Sequence, residues 1–299
     1  MVDKKRYSGK IIKQKYTDAY IKLISTAGLT YGVLRSSYEW LTGQYDNAEY
    51  RDGIVRIMPL PLWFPFDIES KAHYIGAICL ETYNTILNCL HSVCQEVPLI
   101  SISEELCSEF QILAKGIEIF DQRAAALYKI LYGNITEGNQ IDKKKFERCI
   151  QLCLRDSVRH HVILKRTYED LMRLFKIPLA LCIFSSALML CFSGISFTDE
   201  SVPINVKCIF FVILTVEIAY TFIFCWYGQK IQDSSSEIGE VIYKTNWYKY
   251  PESVKRYILI MQPCAQRPLK LTAAGFIDVE LPTFLDVSKQ HYFNITRTK

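Results

Sequence analysis

Apolar residues are gathered into long blocks along this chain, and the two most complete blocks predict membrane-crossing helices. Residues 177–198 (IPLALCIFSSALMLCFSGISFT) carry no charged side chain, and residues 208–229 (CIFFVILTVEIAYTFIFCWYGQ) carry only Glu217. At a rise of about 1.5 Å per residue, about 20 residues cross a hydrocarbon core roughly 30 Å thick. The link between the blocks holds Pro203 and several polar residues, so the two predict an antiparallel helical hairpin. A third block, 72–95, has one formal charge, Glu81, among many Thr, Asn and Tyr, and suits a span whose polar side faces other helices or water. A fourth, 23–43, contains Arg35 and Glu39, whose i,i+4 spacing pairs them on one helix face. The last candidate, 272–296, is interrupted by Asp278, Glu280, Asp286 and Lys289, and Pro282 suits a helix N-terminus. Such a polar final helix fits a water-lined pore or a surface.

Between the blocks the periodicity is that of amphipathic helices. In 104–132, Phe110, Leu113, Ile117 and Ile119 recur at helical spacing. In 144–176, Phe146, Ile150, Leu154, Val162, Leu164, Leu171 and Leu174 continue the pattern and predict a helix running directly into the block at Ile177. Residues 234–254 read as helix, turn and a new helix started by Pro251, with the aromatic group Trp247, Tyr248 and Tyr250 favouring buried packing.

Charge orients the blocks, because Lys and Arg near span ends stay on the cytoplasmic side. The N-terminal stretch holds Lys4, Lys5, Arg6, Lys10, Lys13 and Lys15 and is placed inside. Residues 44–71 hold Asp46, Glu49, Asp52, Asp67 and Glu69 against Arg51, Arg56 and Lys71 and are placed outside. Residues 143–176 hold ten Lys or Arg against four Asp or Glu and fall inside. The hairpin link, with Asp199 and Glu200 against Lys207, falls outside, and 230–270, with seven basic against four acidic residues, falls inside. The alternation predicts five crossings with the N-terminus inside and the C-terminus outside.

The resulting division is a cytoplasmic segment 1–22, two spans within 23–98 with an outer loop 44–71, and a cytoplasmic helical segment 99–176. An antiparallel pair of spans (177–229), cytoplasmic anchor helices (230–271) and a final pore-type helix with a short tail (272–299) complete it. The fold class is all-α, a polytopic membrane bundle with a helical anchor region.

Composition narrows the function. A net charge of +4 with 22% charged residues gives no dense basic face for nucleic acid. The N-terminus lacks the apolar core and small-residue cleavage site of a signal peptide. The 11 cysteines follow no secreted disulfide framework and fall in spans or inner segments, where they stay reduced. Cys149 and Cys153 followed by His160 and His161 have a loosely metal-like spacing, outweighed by the reading of a basic helix with scattered Cys and His. There is no glycine-rich phosphate loop, no HExxH and no nucleophile in a recognisable context, so neither an enzyme nor a cofactor is implied. Glu81 and Glu217, at membrane depth, are either functional groups or carboxyls hydrogen-bonded to neighbouring helices.

The region 225–289 (CWYGQKIQDSSSEIGEVIYKTNWYKYPESVKRYILIMQPCAQRPLKLTAAGFIDVELPTFLDVSK) resembles the C-terminal part of insect odorant receptors. The likeness lies in a Gly228 turn after the sixth span, the SSSEIG run, the progression to Trp247 and the helix after Pro251. It continues in Gln266-Arg267-Pro268-Leu269, Thr272-Ala273-Ala274-Gly275 and Thr283-Phe284. Upstream, Leu62-Trp63-Phe64-Pro65-Phe66-Asp67 followed by Tyr74 is similar to the family's outer loop before its fourth span.

The resemblance implies seven helices with the N-terminus inside, the first span here aligning with the family's third. The first two spans are thus absent and the last helix is slightly short, as in a truncated form. It implies a channel of four subunits around a cation pore, with an odorant-binding subunit joined to a co-receptor in a heterotetramer at the dendrite membrane of olfactory sensory neurons. The partners are then a small volatile odorant, the co-receptor and membrane lipid. Tyr31, Tyr38, Tyr74 and Tyr83 become candidates for lining the odorant site, beside the plainer reading of interfacial or packing tyrosines. Thr283, Val287, Gln290 and His291 become candidates for lining the pore. The alternatives are a gustatory receptor of the same superfamily, whose Thr-Tyr…Gln-Phe signature is not found in the last helix, and a polytopic transporter or membrane enzyme, for which no internal repeat is seen.

Overall fold

Long helices follow from the long periodic runs. The computed structural model describes residues 64–65, 71–133, 142–198, 202, 204–286 and 289. Helix α1 spans Lys71–Glu118, α2 Phe120–Tyr132, α3 Lys143–Thr198, α4 Ile204–Lys244 and α5 Glu252–Ala265. A 3-10 turn, Trp247–Lys249, joins α4 to α5. Two short strands, β1 (Thr272–Ala273) and β2 (Ile277–Asp278), pair antiparallel with Thr272 opposite Asp278 and Ala273 opposite Ile277. Residues 281–286 are again helical.

The chain divides into two compact units, Met1–Pro98 with Ile204–Val206, and Leu99–Pro203 with Lys207–Lys299. In the first, the described part of α1 buries Ala77 and Glu81, one turn apart, while Ile75, Leu80, Tyr83, Ile86, Leu87 and Leu90 are exposed. The fourth block, 23–43, lies outside the described residues.

In the second unit the core forms where α2 and α5 pack on α3. Phe110, Leu113 and Ile117 of α1, Phe120 and Ala124 of α2, and Cys149, Ile150 and Leu154 of α3 are all buried in one cluster. Val254, Ile258, Met261 and Ala265 of α5 and Ile231, Ile238 and Ile242 of α4 extend it. Fully burying such side chains is worth about 1.5–3 kcal/mol each. The α4–α5 approach is close at Gly239, where an added methyl would stand 3.3 Å from the Ala265 carbonyl oxygen.

The structure departs from the periodicity in four places. First, α1 runs unbroken through Pro98, where the sequence predicts a span and a separate helix. Proline removes one helical hydrogen bond, a loss that a long helix tolerates. Second, the predicted helix 104–132 breaks at Ile119, which bounds α2. The Arg123 guanidinium donates to the Gly116 carbonyl at 3.1 Å there, in space that a side chain at Gly116 would crowd. Third, Gly228 is no turn, since α4 passes straight through it. Fourth, the segment from Thr272 starts as a hairpin, and helix resumes only at residue 281. The hairpin turns through Ala274 (φ 52°) and Gly275 (φ 87°). Positive φ at both central positions is the primed-turn geometry that matches strand twist.

Along α3 the buried positions Ile150, Leu154, Ser157, His161, Leu164, Leu171, Leu179, Ser186 and Ser193 fall at spacings that are sums of three and four, which makes a single stripe. Val162 and Leu174, assigned to the buried face by their hydrophobicity, lie off it and are exposed. Beyond Ile177 the stripe holds Leu179 and then the serines Ser186 and Ser193, while Leu181, Phe184, Leu188, Met189, Phe192 and Ile195 are exposed. Among the described residues α3 is the one helix long and apolar enough to cross a membrane, and only 11% of its most apolar window is buried.

Candidate functional site

Of the residues expected to carry function, Thr283 is described at the base of the final helix and Tyr83 on α1. The approach to the final helix is built by α5 and the hairpin. After α5 the chain runs extended, and the Leu269 amide donates to the Ser235 hydroxyl of α4 at 3.0 Å. The Tyr168 hydroxyl of α3 donates to the Lys270 carbonyl at 2.5 Å. At the hairpin turn the Ala274 amide donates to the Lys176 carbonyl at 3.1 Å. The incoming strand is thus fixed to α3 at two points and to α4 at one. Burial pushes the Tyr168 phenol above its usual pKa, so it stays a hydrogen-bond donor.

The outgoing strand is held differently. The Val279 amide donates to the Leu271 carbonyl at 2.8 Å, extending the ladder one pair beyond the two strands. The Lys270 ammonium lies 2.7 Å from Asp278 and 3.4 Å from Glu280. Hydrogen bonding to Asp278, reinforced by Glu280, raises the Lys270 pKa against a partial desolvation, so the site keeps its positive charge. Immediately afterwards the Phe284 amide donates to the Glu280 carbonyl at 3.2 Å, starting the helix. A methyl on Gly228 would overlap the Val279 carbonyl oxygen. The glycine is therefore required by a backbone crossing, not by a turn. One step further on, the Phe222 and Phe284 rings meet edge-on, centroids 5.7 Å apart.

Two further polar ties lie in the same unit. Lys230 of α4 donates to both carboxylate oxygens of Glu104 at 2.7 Å, and the Tyr227 hydroxyl donates to Glu104 at 3.1 Å. The Ser186 hydroxyl of α3 donates to Glu217 of α4 at 2.8 Å. Glu217 is therefore hydrogen-bonded to a neighbouring helix, the plainer of the two readings the sequence allows. Nearby Cys107 is a buried thiol pushed up to about 11 by desolvation, too weakly acidic for nucleophilic chemistry. Cys149 and Cys153 face the α2–α3 core, whereas His160 meets Glu109 at 3.2 Å.

Of the sequence-predicted site residues, Thr283 is half-buried at the start of the final helix, within one turn of Glu280. Val287, Gln290 and His291 lie outside the described residues. Tyr31 and Tyr38 also lie outside them, and for Tyr74 only the helical backbone is described. Tyr83 is on α1 and 62% exposed. Tyr168 and Lys270 are not singled out by the sequence, and Gly228 is read there as a turn rather than a crossing. Their roles are made by contacts between elements far apart in the chain, and the one local signal, a glycine inside an apolar helix, points equally to a turn. The expected burial of the aromatic group is met in part: Trp247 and Tyr250 pack against the core, Tyr250 edge-on to Phe120, while Tyr248 is exposed.

Comparison with known proteins places this geometry. The family model described as 7tm Odorant receptor matches residues 5–292. Odorant receptor 85b of Drosophila melanogaster is 24% identical, over 97% of this chain and 72% of its own length. Odorant receptor 85c of the same fly is 22% identical over the same shares. The solved insect olfactory receptor OR5 of Machilis hrabei in complex with eugenol has a TM-score of 0.72 at 16% identity, covering 98% of this chain and 68% of that one. A second structure of that receptor gives a TM-score of 0.69.

Proposed function

Because the chain belongs to the 7tm odorant receptor family, whose members are multi-pass membrane receptors and not enzymes, we propose that it is the odorant-binding subunit of a cation channel. The observation that carries this reading is the family match across residues 5–292. The solved relative held with eugenol supports a small volatile ligand, and the outward apolar residues of α1 and α3 support a lipid setting. The partner is a co-receptor subunit in a heterotetramer, at the dendrite membrane of an olfactory sensory neuron.

In this reading Tyr31, Tyr38, Tyr74 and Tyr83 line an apolar pocket with few polar anchors, which suits a volatile molecule. Thr283, Val287, Gln290 and His291 fall at i, i+4, i+7 and i+8, one face of a helix, and line the pore. Odorant opens the channel by binding the open state better than the closed one. The family match names odorant receptors, so the gustatory and transporter alternatives receive no support from it.

The test is co-expression with an odorant co-receptor in oocytes, with recording of odorant-evoked inward current. Current to at least one compound of a broad volatile panel is expected. Silence across the panel with surface delivery confirmed, in cells where Odorant receptor 85b responds, would overturn the reading.

A further inference from the structure

The hairpin beneath the final helix has its incoming strand tied to α3 and α4, and its outgoing strand tied to the incoming one by the backbone ladder and by charge. The incoming strand is anchored through backbone groups of Leu269, Lys270 and Ala274 to Ser235, Tyr168 and Lys176. The outgoing strand runs directly into the final helix. Among the described residues, its two carboxylates, Asp278 and Glu280, both bind Lys270 of the fixed strand. The ladder reaches Leu271 and Val279, and Lys270 and Glu280 are the next residues on either side of it. A two-stranded hairpin is marginal alone, so its shape depends on such ties. Glu280 also supplies the carbonyl that receives the Phe284 amide, so the residue that carries the charge stands at the helix start. It is the more buried of the two acids, 19% exposed against 39% for Asp278, where charge is less screened by solvent.

We propose that Lys270 is a positioning residue for gating: its ammonium, shared between Asp278 and Glu280, is a latch that sets the rest position of the final helix. This rests on the channel reading above. Releasing the latch removes the ionic ties from Lys270 to Asp278 and Glu280 and leaves the start of the final helix held to the incoming strand by the backbone ladder alone. The closed arrangement loses its reference.

The experiment measures the odorant-independent fraction of current at matched surface expression, with the co-receptor present. Lys270→Met is expected to raise that fraction several-fold and lower the odorant concentration for half-maximal response. Lys270→Arg is expected to match the unaltered chain. K270E alone is expected to behave as Lys270→Met, and the charge-reversed set K270E, D278K and E280K is expected to bring the fraction back. An unaltered chain that conducts alongside a Lys270→Met variant with the same fraction would overturn the latch and leave the channel reading standing. A silent unaltered chain overturns the channel reading instead, and the latch is then tested by hydrogen exchange on the purified full chain. Lys270→Met is expected to speed exchange at residues 281–286 by about tenfold while leaving 99–132 unchanged, and unchanged exchange at 281–286 would overturn it.

Discussion

The two halves of α3 present opposite chemistry to their surroundings on one continuous helix. In 143–176 the stripe facing the chain carries Ile150, Leu154, Leu164 and Leu171 with Ser157 and His161 between them, and the outer face carries Arg155, Arg159, Arg166 and Arg173. In 177–198 the stripe carries Leu179 and then Ser186 and Ser193, and the outer face carries Phe184, Leu188, Phe192 and Ile195. Pro178 sits at the change-over. The geometry is the same, the outer face changes from charged to apolar, and past Leu179 the stripe turns from leucine to serine. Water outside the charged half rewards burying leucine. Outside the uncharged half, hydrocarbon is as apolar as leucine, so small residues that allow close approach, and hydroxyls that find partners, take the inner positions. Burial in this molecule follows the helical repeat, and hydropathy reports it only where water is the solvent.

The largest effect expected from that contrast is in the charged half's core. Phe110 is fully buried against the α2–α3 cluster. Phe110→Ala is expected to cost about 3–5 kcal/mol, read as a large loss of melting temperature in detergent. Phe192→Ala, on the outer face of the uncharged half, is expected to shift melting little. Equal losses would mean that both halves pack the same way.

The core of the charged half was legible in the sequence for this reason. Phe110, Leu113, Ile117, Ile150 and Leu154 are apolar, recur at helical spacing and are buried. Val162 and Leu174 misled because hydrophobicity was counted without phase. The stripe passes through His161 and Leu171, and their apolar neighbours in sequence lie off it. His161 holds its buried position with a pKa lowered by desolvation and by Lys165 and His160, which keeps it neutral. The base of the final helix was less legible. Pro282 correctly suggested a helix start, but the hairpin before it rests on Tyr168, Ser235 and Lys176, each at least 34 residues away in the chain, and no local pattern encodes such partners.

The next effect tests the outer faces directly. Phe184, 63% exposed, and Ile163, 50% exposed, look equivalent by accessibility. If lipid covers the first and water the second, Phe184→Lys costs insertion about 2.5–3.5 kcal/mol near a span centre, whereas Ile163→Lys changes stability by less than about 0.5 kcal/mol. Surface biotinylation is expected to fall steeply for the first and hold for the second. Matching behaviour would break the comparison, because both faces would then have one solvent.

A smaller effect is expected where the apolar part of α4 ends. Gly228→Ala places a methyl onto the Val279 carbonyl, and forced overpacking costs about 1–3 kcal/mol. Gly239→Ala meets the Ala265 carbonyl at 3.3 Å, a contact that a shift of a few tenths of an ångström relieves. Thermal melting is expected to rank Gly228→Ala well below Gly239→Ala. The reverse order would remove the backbone crossing as the reason for the glycine.

The smallest effect separates the serines of the inner stripe. Ser186 donates across to Glu217 of α4 at 2.8 Å, whereas Ser193 donates back to the Met189 carbonyl of its own helix at 2.7 Å. Both are buried and both lie on the same face. If the stripe works only by keeping side chains small, alanine serves equally at either position, and neither substitution is felt. If the hydroxyl also ties the helices, Ser186→Ala leaves Glu217 without that donor. Measured interhelical hydrogen bonds in membranes average about 0.6 kcal/mol, since the separated helices find other partners. Ser186→Ala is therefore expected to lower melting slightly, Ser193→Ala not at all, and Ser186→Thr, which keeps the hydroxyl, less than Ser186→Ala. Combining Ser186→Ala with Glu217→Ala is expected to cost less than the sum of the two single changes. Additive losses would reduce the uncharged stripe to a matter of size alone.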